Sequence, residues 1–180
     1  MAIYISGGCK NGKSYHAQRI ARDLGTPHYY VATMIPADEE DVARIRRHVD
    51  ERAGWGFETI ECPSGILSAL DGANPDGAFL IDSTTALLSN EMFKRDGSVD
   101  EDAHIPLARE MIAFIERAPR TVIVSDYIFS DATMYPPLVE RYRYALAAID
   151  RQVAAHCDAV IEVVNSVMIF HKGDAACLRG

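Results

Sequence analysis

Gly7-Gly8-Cys9-Lys10-Asn11-Gly12-Lys13-Ser14 follows the apolar run Ala2-Ile3-Tyr4-Ile5 directly. The spacing is G-x-x-x-x-G-K-[ST], a phosphate-binding loop, in the strand–loop–helix setting that this motif requires. Glycines let the backbone curl into a nest of inward N–H groups, and the helix that follows adds its positive end. Gly7, Gly8, Cys9, Lys10, Asn11, Gly12, Lys13 and Ser14 are therefore candidate nucleotide-binding residues. Lys13 is expected to reach the β- and γ-phosphates, and the Ser14 hydroxyl to ligate Mg²⁺. The alternative is a glycine-rich turn that merely precedes a lysine; correct flanks on both sides weigh against it.

Outward from the loop, strand-like and helix-like segments alternate with no repeat, low-complexity tract or linker. A helix is expected from about Lys13 to Leu24, ended by Gly25, then a strand over His28–Thr33 behind Pro27. The acidic cluster Asp38-Glu39-Glu40-Asp41 starts a helix that runs through about Arg52, since negative charge suits a helix N-terminus. Phe57–Glu61, Ala78–Asp82, Thr121–Ser125, Ala159–Val164 and Val167–Phe170 read as further strands. Helical patterns fall near Thr85–Lys94, Ala103–Arg117 and Pro137–His156. Continuous apolar strands such as Ala78-Phe79-Leu80-Ile81 are those of a parallel sheet covered on both faces. The expected fold is α/β: a P-loop NTPase of RecA-like type, a mainly parallel doubly wound sheet between helices, three layers in one domain over residues 1–180. Ligands of such sheets lie at the carboxyl ends of the strands, where the loop stands.

Composition narrows the partners. Of 180 residues, 48% are hydrophobic and 24% charged, as in ordinary globular proteins. A formal net charge of −8 argues against a nucleic-acid or anionic-membrane binder, which needs a basic footprint. Cys9, Cys62, Cys157 and Cys177 show neither CxxC spacing nor a metal-binding grouping with histidine, and read as reduced thiols. No apolar run approaches transmembrane length, so a cytoplasmic protein without membrane insertion is expected.

Two further features carry chemistry. Asp82 ends an apolar strand, where P-loop proteins place a carboxylate near Mg²⁺; as Ser83-Thr84 follow, a helix-capping role is the alternative. In Arg44-Ile45-Arg46-Arg47-His48-Val49-Asp50-Glu51-Arg52, helical spacing aligns Arg44, His48 and Arg52 on one face. Val42, Ile45 and Val49 form the apolar stripe expected to anchor that helix. Like charge on both sides disfavours a protonated His48, leaving the free nitrogen that a nucleophile needs, and the arginines suit triphosphate. Spacing alone better fits a solvated, salt-bridged helix face with an incidental histidine.

These segments together resemble the adenosylcobinamide kinase/adenosylcobinamide-phosphate guanylyltransferase family of cobalamin biosynthesis. The family opening T-G-G-A-R-S-G-K-S is similar to Ser6–Ser14, and its Y-I-A-T to Tyr30-Val31-Ala32-Thr33. Its block R-I-x-x-H-x-x-x-R…W matches Arg44-Ile45-Arg46-Arg47-His48 through Arg52 and Trp55. Its acid-ended strand leading to T-x-x-x-x-N is similar to Asp82 through Thr85 and Asn90, and its late A-D-x-V to Cys157-Asp158-Ala159-Val160. The family's T-N-E-V-G appears as Ser125-Asp126-Tyr127-Ile128-Phe129, leaving Asp126 or Asp131 to stand for its glutamate. The resemblance implies that His48 attacks the α-phosphate of GTP and becomes guanylylated, and that a γ-phosphate passes from ATP or GTP to the cobinamide hydroxyl. It further implies catalytic roles for His48 and Lys13, phosphate contacts from Arg44 and Arg52, Mg²⁺ at Ser14 and Asp82, adenosylcobinamide as the small-molecule partner, and a homo-oligomer. A kinase without the guanylyl step and a non-catalytic GTP-binding module remain as alternatives.

Overall fold

The computed structural model describes residues 1–129 and 131–178, with the side chains of Arg44, His48, Glu51 and Cys177 outside the described set. Among the described residues, seven strands, β1 (Ile3–Gly7), β2 (His28–Ala32), β3 (Glu58–Glu61), β4 (Ala78–Asp82), β5 (Thr121–Asp126), β6 (Ala159–Val164) and β7 (Val167–Lys172), form one sheet in the order β3-β2-β4-β5-β1-β6-β7. Every pairing is parallel except β6–β7, which is an antiparallel hairpin. Helices α1 (Lys13–Asp23), α2 (Glu39–Glu51), α3 (Thr84–Met92), α4 (His104–Arg117) and α5 (Pro137–His156) connect the strands, with short 3-10 turns at Ile66–Leu70 and Ala175–Leu178.

Strand alternation sorts the core into two halves. Ile3, Ile5, Leu80, Val122 and Val124 pack with Ala17, Ile20 and Ala21 of α1 on one face. Tyr4, Phe79, Ile81 and Ile123 point to the other face, against Leu87 and Leu88 of α3, Met111 and Phe114 of α4, and Leu146 and Ile149 of α5. Successive side chains of a strand face opposite ways, so a strand apolar at every position is buried from both sides. Three layers result, with the phosphate loop and Asp82 together at the carboxyl edge of the sheet.

One expectation needs correction. The stripe Val42, Ile45, Val49 does not anchor α2: Val42 is 38% and Val49 45% exposed, and no described residue of α2 joins either core half. Periodicity marks which face of a helix is apolar, not whether anything covers it. The C-terminal end of α2 is held instead by Arg52 and Trp55, described below.

Candidate active site

The phosphate loop is shaped by contacts that only small residues permit. Gly7 ends β1; a Cβ there would lie 2.5 Å from the Val163 carbonyl oxygen and closer still to the Asn11 amide. Gly12 has φ +91°, and a Cβ there would meet the Ser166 hydroxyl at 2.6 Å. Asn11 is the pivot. Its Oδ1 accepts the Lys13 backbone N–H at 3.1 Å, its Nδ2 donates to the Val163 carbonyl, and its own carbonyl accepts the Ser166 N–H at 2.9 Å. Ser166, in the β6–β7 turn, also accepts at its carbonyl from His16 Nε2 at 2.9 Å. The turn thus grips both the loop and the first turn of α1. Gly8, Cys9 and Lys10 face solvent at the loop crest, while Ser14 is half-buried just inside α1.

Lys13 is buried, 8% exposed. Its Nζ lies 2.6 Å from Asp126 Oδ1 at the end of β5 and donates to the Gly8 carbonyl at 3.2 Å. The Asp126 backbone N–H donates to Thr85 Oγ1 at 3.0 Å, which fixes the carboxylate beside the lysine. Of the two acids offered in place of the family's glutamate, Asp126 therefore stands in the site, and Asp131 pairs with Arg143 instead. Behind Asp126 sits Asp150 of α5, whose Oδ2 accepts from Ser125 Oγ at 3.1 Å. Burial pushes its carboxyl up to about 7, against the lowering effect of its bonds to the Tyr4 and Ser125 hydroxyls.

Asp82 ends β4 and accepts the Tyr30 hydroxyl on Oδ2 at 2.9 Å. The residue after it is held twice: Ser83 N–H donates to Thr33 Oγ1 at 2.6 Å, and Thr33 Oγ1 donates to the Ser83 carbonyl at 2.9 Å. Ser83, not Asp82, caps α3, through the Ala86 N–H at 3.3 Å. Asn90 Nδ2 then ties the Thr33 and Pro63 carbonyls, each at 2.8 Å. Three separate motif pieces, Tyr30 to Thr33, Asp82 and Asn90, thereby form one rigid corner of the site.

Arg52 follows the last residue of α2 and turns down onto the sheet. Its guanidinium lies 3.9 Å from the centre of the Tyr30 ring and donates to Thr59 Oγ1 at 3.3 Å. It therefore reaches the site through Tyr30, whose hydroxyl is on Asp82. Trp55 sits edge-on to Tyr15 at 5.9 Å, with the Arg22 guanidinium 4.8 Å over its ring, and its carbonyl accepts from His28 Nε2 at 2.7 Å. These contacts dock the end of α2 on α1. The side chains of Arg44 and His48 lie outside the described residues; their backbone belongs to α2. Among the described residues, no group of three or more His, Cys, Asp or Glu side chains forms a metal cage.

The family model for cobinamide kinase/cobinamide phosphate guanyltransferase matches residues 3–169. The chain belongs to that family. Its members are phosphorus-group transferring enzymes, and curated relatives match nearly end to end. The bifunctional adenosylcobalamin biosynthesis protein CobU of Salmonella typhimurium is 30% identical, over 93% of this chain and 97% of its own. The Escherichia coli protein of the same name is 26% identical at the same coverage. The bifunctional adenosylcobalamin biosynthesis protein CobP of Pseudomonas aeruginosa is 27% identical, over 97% of this chain and 99% of its own. Solved structures show the fold more widely. The KaiC-like protein PH0186 of Pyrococcus horikoshii superposes with a TM-score of 0.52 at 13% identity, covering 97% of this chain and 80% of that one. The P4 protein of bacteriophage phi6 gives 0.50 at 14%, covering 96% and 58%. The fold is that of the P-loop NTPases, as the loop's spacing predicts.

Proposed function

We propose that the chain phosphorylates the side-chain hydroxyl of adenosylcobinamide with ATP or GTP, then joins GMP to the phosphate it has made. Family membership across residues 3–169 supports the pair of activities. The observation that carries the reading here is the convergence at one sheet edge of a glycine-shaped phosphate loop, the buried cation Lys13 and the strand-end acids Asp82 and Asp126. Phosphoryl transfer needs little more than positioning and charge neutralisation, and this set offers both.

In the kinase step, the loop N–H groups and Lys13 hold the triphosphate, and Lys13 leaves Asp126 for the incoming phosphate oxygens. In the guanylyl step, a His48 nitrogen attacks the α-phosphorus of GTP. A P–N bond forms, the bond to the β-phosphate breaks, and pyrophosphate departs. An oxygen of the cobinamide phosphate then displaces His48, giving a diphosphate link and restoring the imidazole. Arg44 supports charge near that histidine, while Arg52 acts on the site through Tyr30, whose hydroxyl is on Asp82.

Mg²⁺ fits the donor set, which is all oxygen: the Ser14 hydroxyl and the Asp82 carboxylate would hold it. One carboxylate and one hydroxyl suit an ion that otherwise keeps water and substrate phosphate oxygens. When bound it neutralises phosphate charge. Among the described residues no helix is long and apolar enough to cross a membrane. A cytoplasmic enzyme of one nucleotide-binding domain, assembled as a homo-oligomer that covers Val42 and Val49, completes the reading.

Product analysis tests it. With adenosylcobinamide, GTP and Mg²⁺, the wild-type chain should yield a phosphorylated corrinoid and then its GDP-linked form. The His48→Ala variant should stop at the phosphate. No corrinoid product from the wild type refutes the reading, and a GDP-linked product from His48→Ala refutes the role of the histidine.

A further inference from the structure

The segment after β5 begins on the phosphate loop itself: the Tyr127 N–H donates to the Gly7 carbonyl at 3.0 Å, one residue from the Lys13–Asp126 pair. Ile128 and Phe129 then turn inward against the core. Tyr127 (45% exposed), Met134 (95%), Tyr135 (37%) and, in the first turn of α5, Leu138 (41%) turn outward. Large apolar side chains left exposed in one segment are available to the hydrocarbon surface of a ligand. The segment rises from the carboxyl edge of the sheet where the phosphates are held.

A single side chain braces it. Arg143 of α5 donates through Nε to the Ile128 carbonyl at 3.1 Å, and its Nη2 and Nη1 lie 3.0 Å from Asp131 Oδ1 and 2.8 Å from Glu140 Oε1. Its guanidinium also lies 4.8 Å from the centre of the Tyr135 ring. Tyr135 closes the network, its hydroxyl donating to Asp131 Oδ2 at 2.7 Å and its N–H to Glu140 Oε1 at 3.1 Å. The Arg143 side chain is only 12% exposed. All three of its nitrogens are engaged, a geometry that a planar fork provides and an ammonium does not.

The chemistry of the transfer says what such a wall serves. An acceptor hydroxyl must approach the γ-phosphorus in line with, and opposite to, the departing oxygen. With the phosphates seated in the loop, the acceptor comes across the ends of β4 and β5, beside residues 127–129 and 131–135. A corrinoid is a broad macrocycle with large hydrocarbon faces, which the exposed side chains of Tyr127, Met134, Tyr135 and Leu138 suit. A wall already fixed spares the acceptor the entropy of ordering it.

We propose that Arg143 is a positioning residue for the acceptor: it holds residues 127–129 and 131–135 as the wall on which the corrinoid rests while its hydroxyl faces the phosphorus. This rests on the kinase reading above.

The test varies adenosylcobinamide and nucleotide separately in steady-state kinase assays. Arg143→Ala should raise the KM for the corrinoid about tenfold relative to the KM for the nucleotide, and Arg143→Lys should shift the ratio in the same direction. Met134→Ala, at a side chain too exposed to matter for folding, should raise the corrinoid KM several-fold, and it decides the matter if the arginine variants do not fold. Equal movement of both KM values, or an unmoved corrinoid KM in Met134→Ala, overturns the proposal. Equilibrium binding of adenosylcobinamide separates the two readings. A wild type that binds it without turnover, and loses affinity on Met134→Ala, keeps the wall and drops the kinase. A wild type that binds none drops both.

Discussion

The ammonium of Lys13 lies 2.6 Å from the carboxylate of Asp126, across the gap between the phosphate loop and the end of β5. The pair solves a problem set by the site. A cation that is 8% exposed needs a counter-charge while the site holds no anion, and must release it when the phosphates arrive. Lys13→Ala is expected to lower kcat for corrinoid phosphorylation by about 10²-fold or more, the scale of losing one charge-stabilising donor. Rates within a few-fold of wild type would show that Lys13 does not touch the transferred phosphate.

Asp126→Asn tests the other half. Its side chain is one-third exposed, but its loss leaves the buried Lys13 ammonium without a counter-charge, so the substitution should cost about 3 kcal/mol of stability in urea unfolding. Nucleotide affinity should rise, because Lys13 no longer has to leave a carboxylate. A weaker affinity would mean that Asp126 acts on the nucleotide directly.

Asn11→Ala should loosen the loop. It removes the acceptor for the Lys13 N–H and the donor to Val163. The nucleotide KM should rise about thirtyfold, the order expected when two positioning hydrogen bonds of about 1 kcal/mol each are lost. An unaltered KM would show that the β6–β7 turn holds the loop without Asn11.

The Asp150 carboxyl is raised from 3.8 to about 7, chiefly by burial. A folded-state value above the unfolded one means that the folded chain holds its proton more tightly. That stabilising contribution is complete below about pH 4 and is lost as pH rises towards 7 and through it. Asp150→Asn removes the slope. In urea unfolding its stability relative to wild type should increase by about 2–3 kcal/mol between pH 5 and pH 8. Parallel profiles for the two proteins would contradict a carboxyl titrating near neutrality.

The sequence carries much of this fold and only part of its site. The loop spacing fixes β1 and the start of α1, and the unbroken apolar run of Ala78–Asp82 fixes a central strand with its acid at the ligand edge. Pro137 and the small or apolar face behind it mark α5 over its full length. What stays hidden depends on pairing across the sheet. Asp126 meets Lys13 because β5 lies beside β1, and Ser166 meets Asn11 because β6 lies on the other side. Neither order can be read from one strand at a time. The stripe of α2 fails for a related reason, since its cover depends on what lies outside the layers. Arg52 reads as a phosphate ligand by helical spacing, yet the helix ends one residue before it and the side chain falls onto Tyr30.

The central claim is a covalent nucleotide on α2 beside a phosphate loop, and intact-mass measurement after incubation with GTP and Mg²⁺, without corrinoid, tests it most directly. The account predicts that the wild-type chain gains the mass of one GMP, that the gain is labile in acid as a P–N bond should be, and that His48→Ala abolishes it. A wild-type chain that keeps its original mass, or a His48→Ala chain that still gains GMP, contradicts the account.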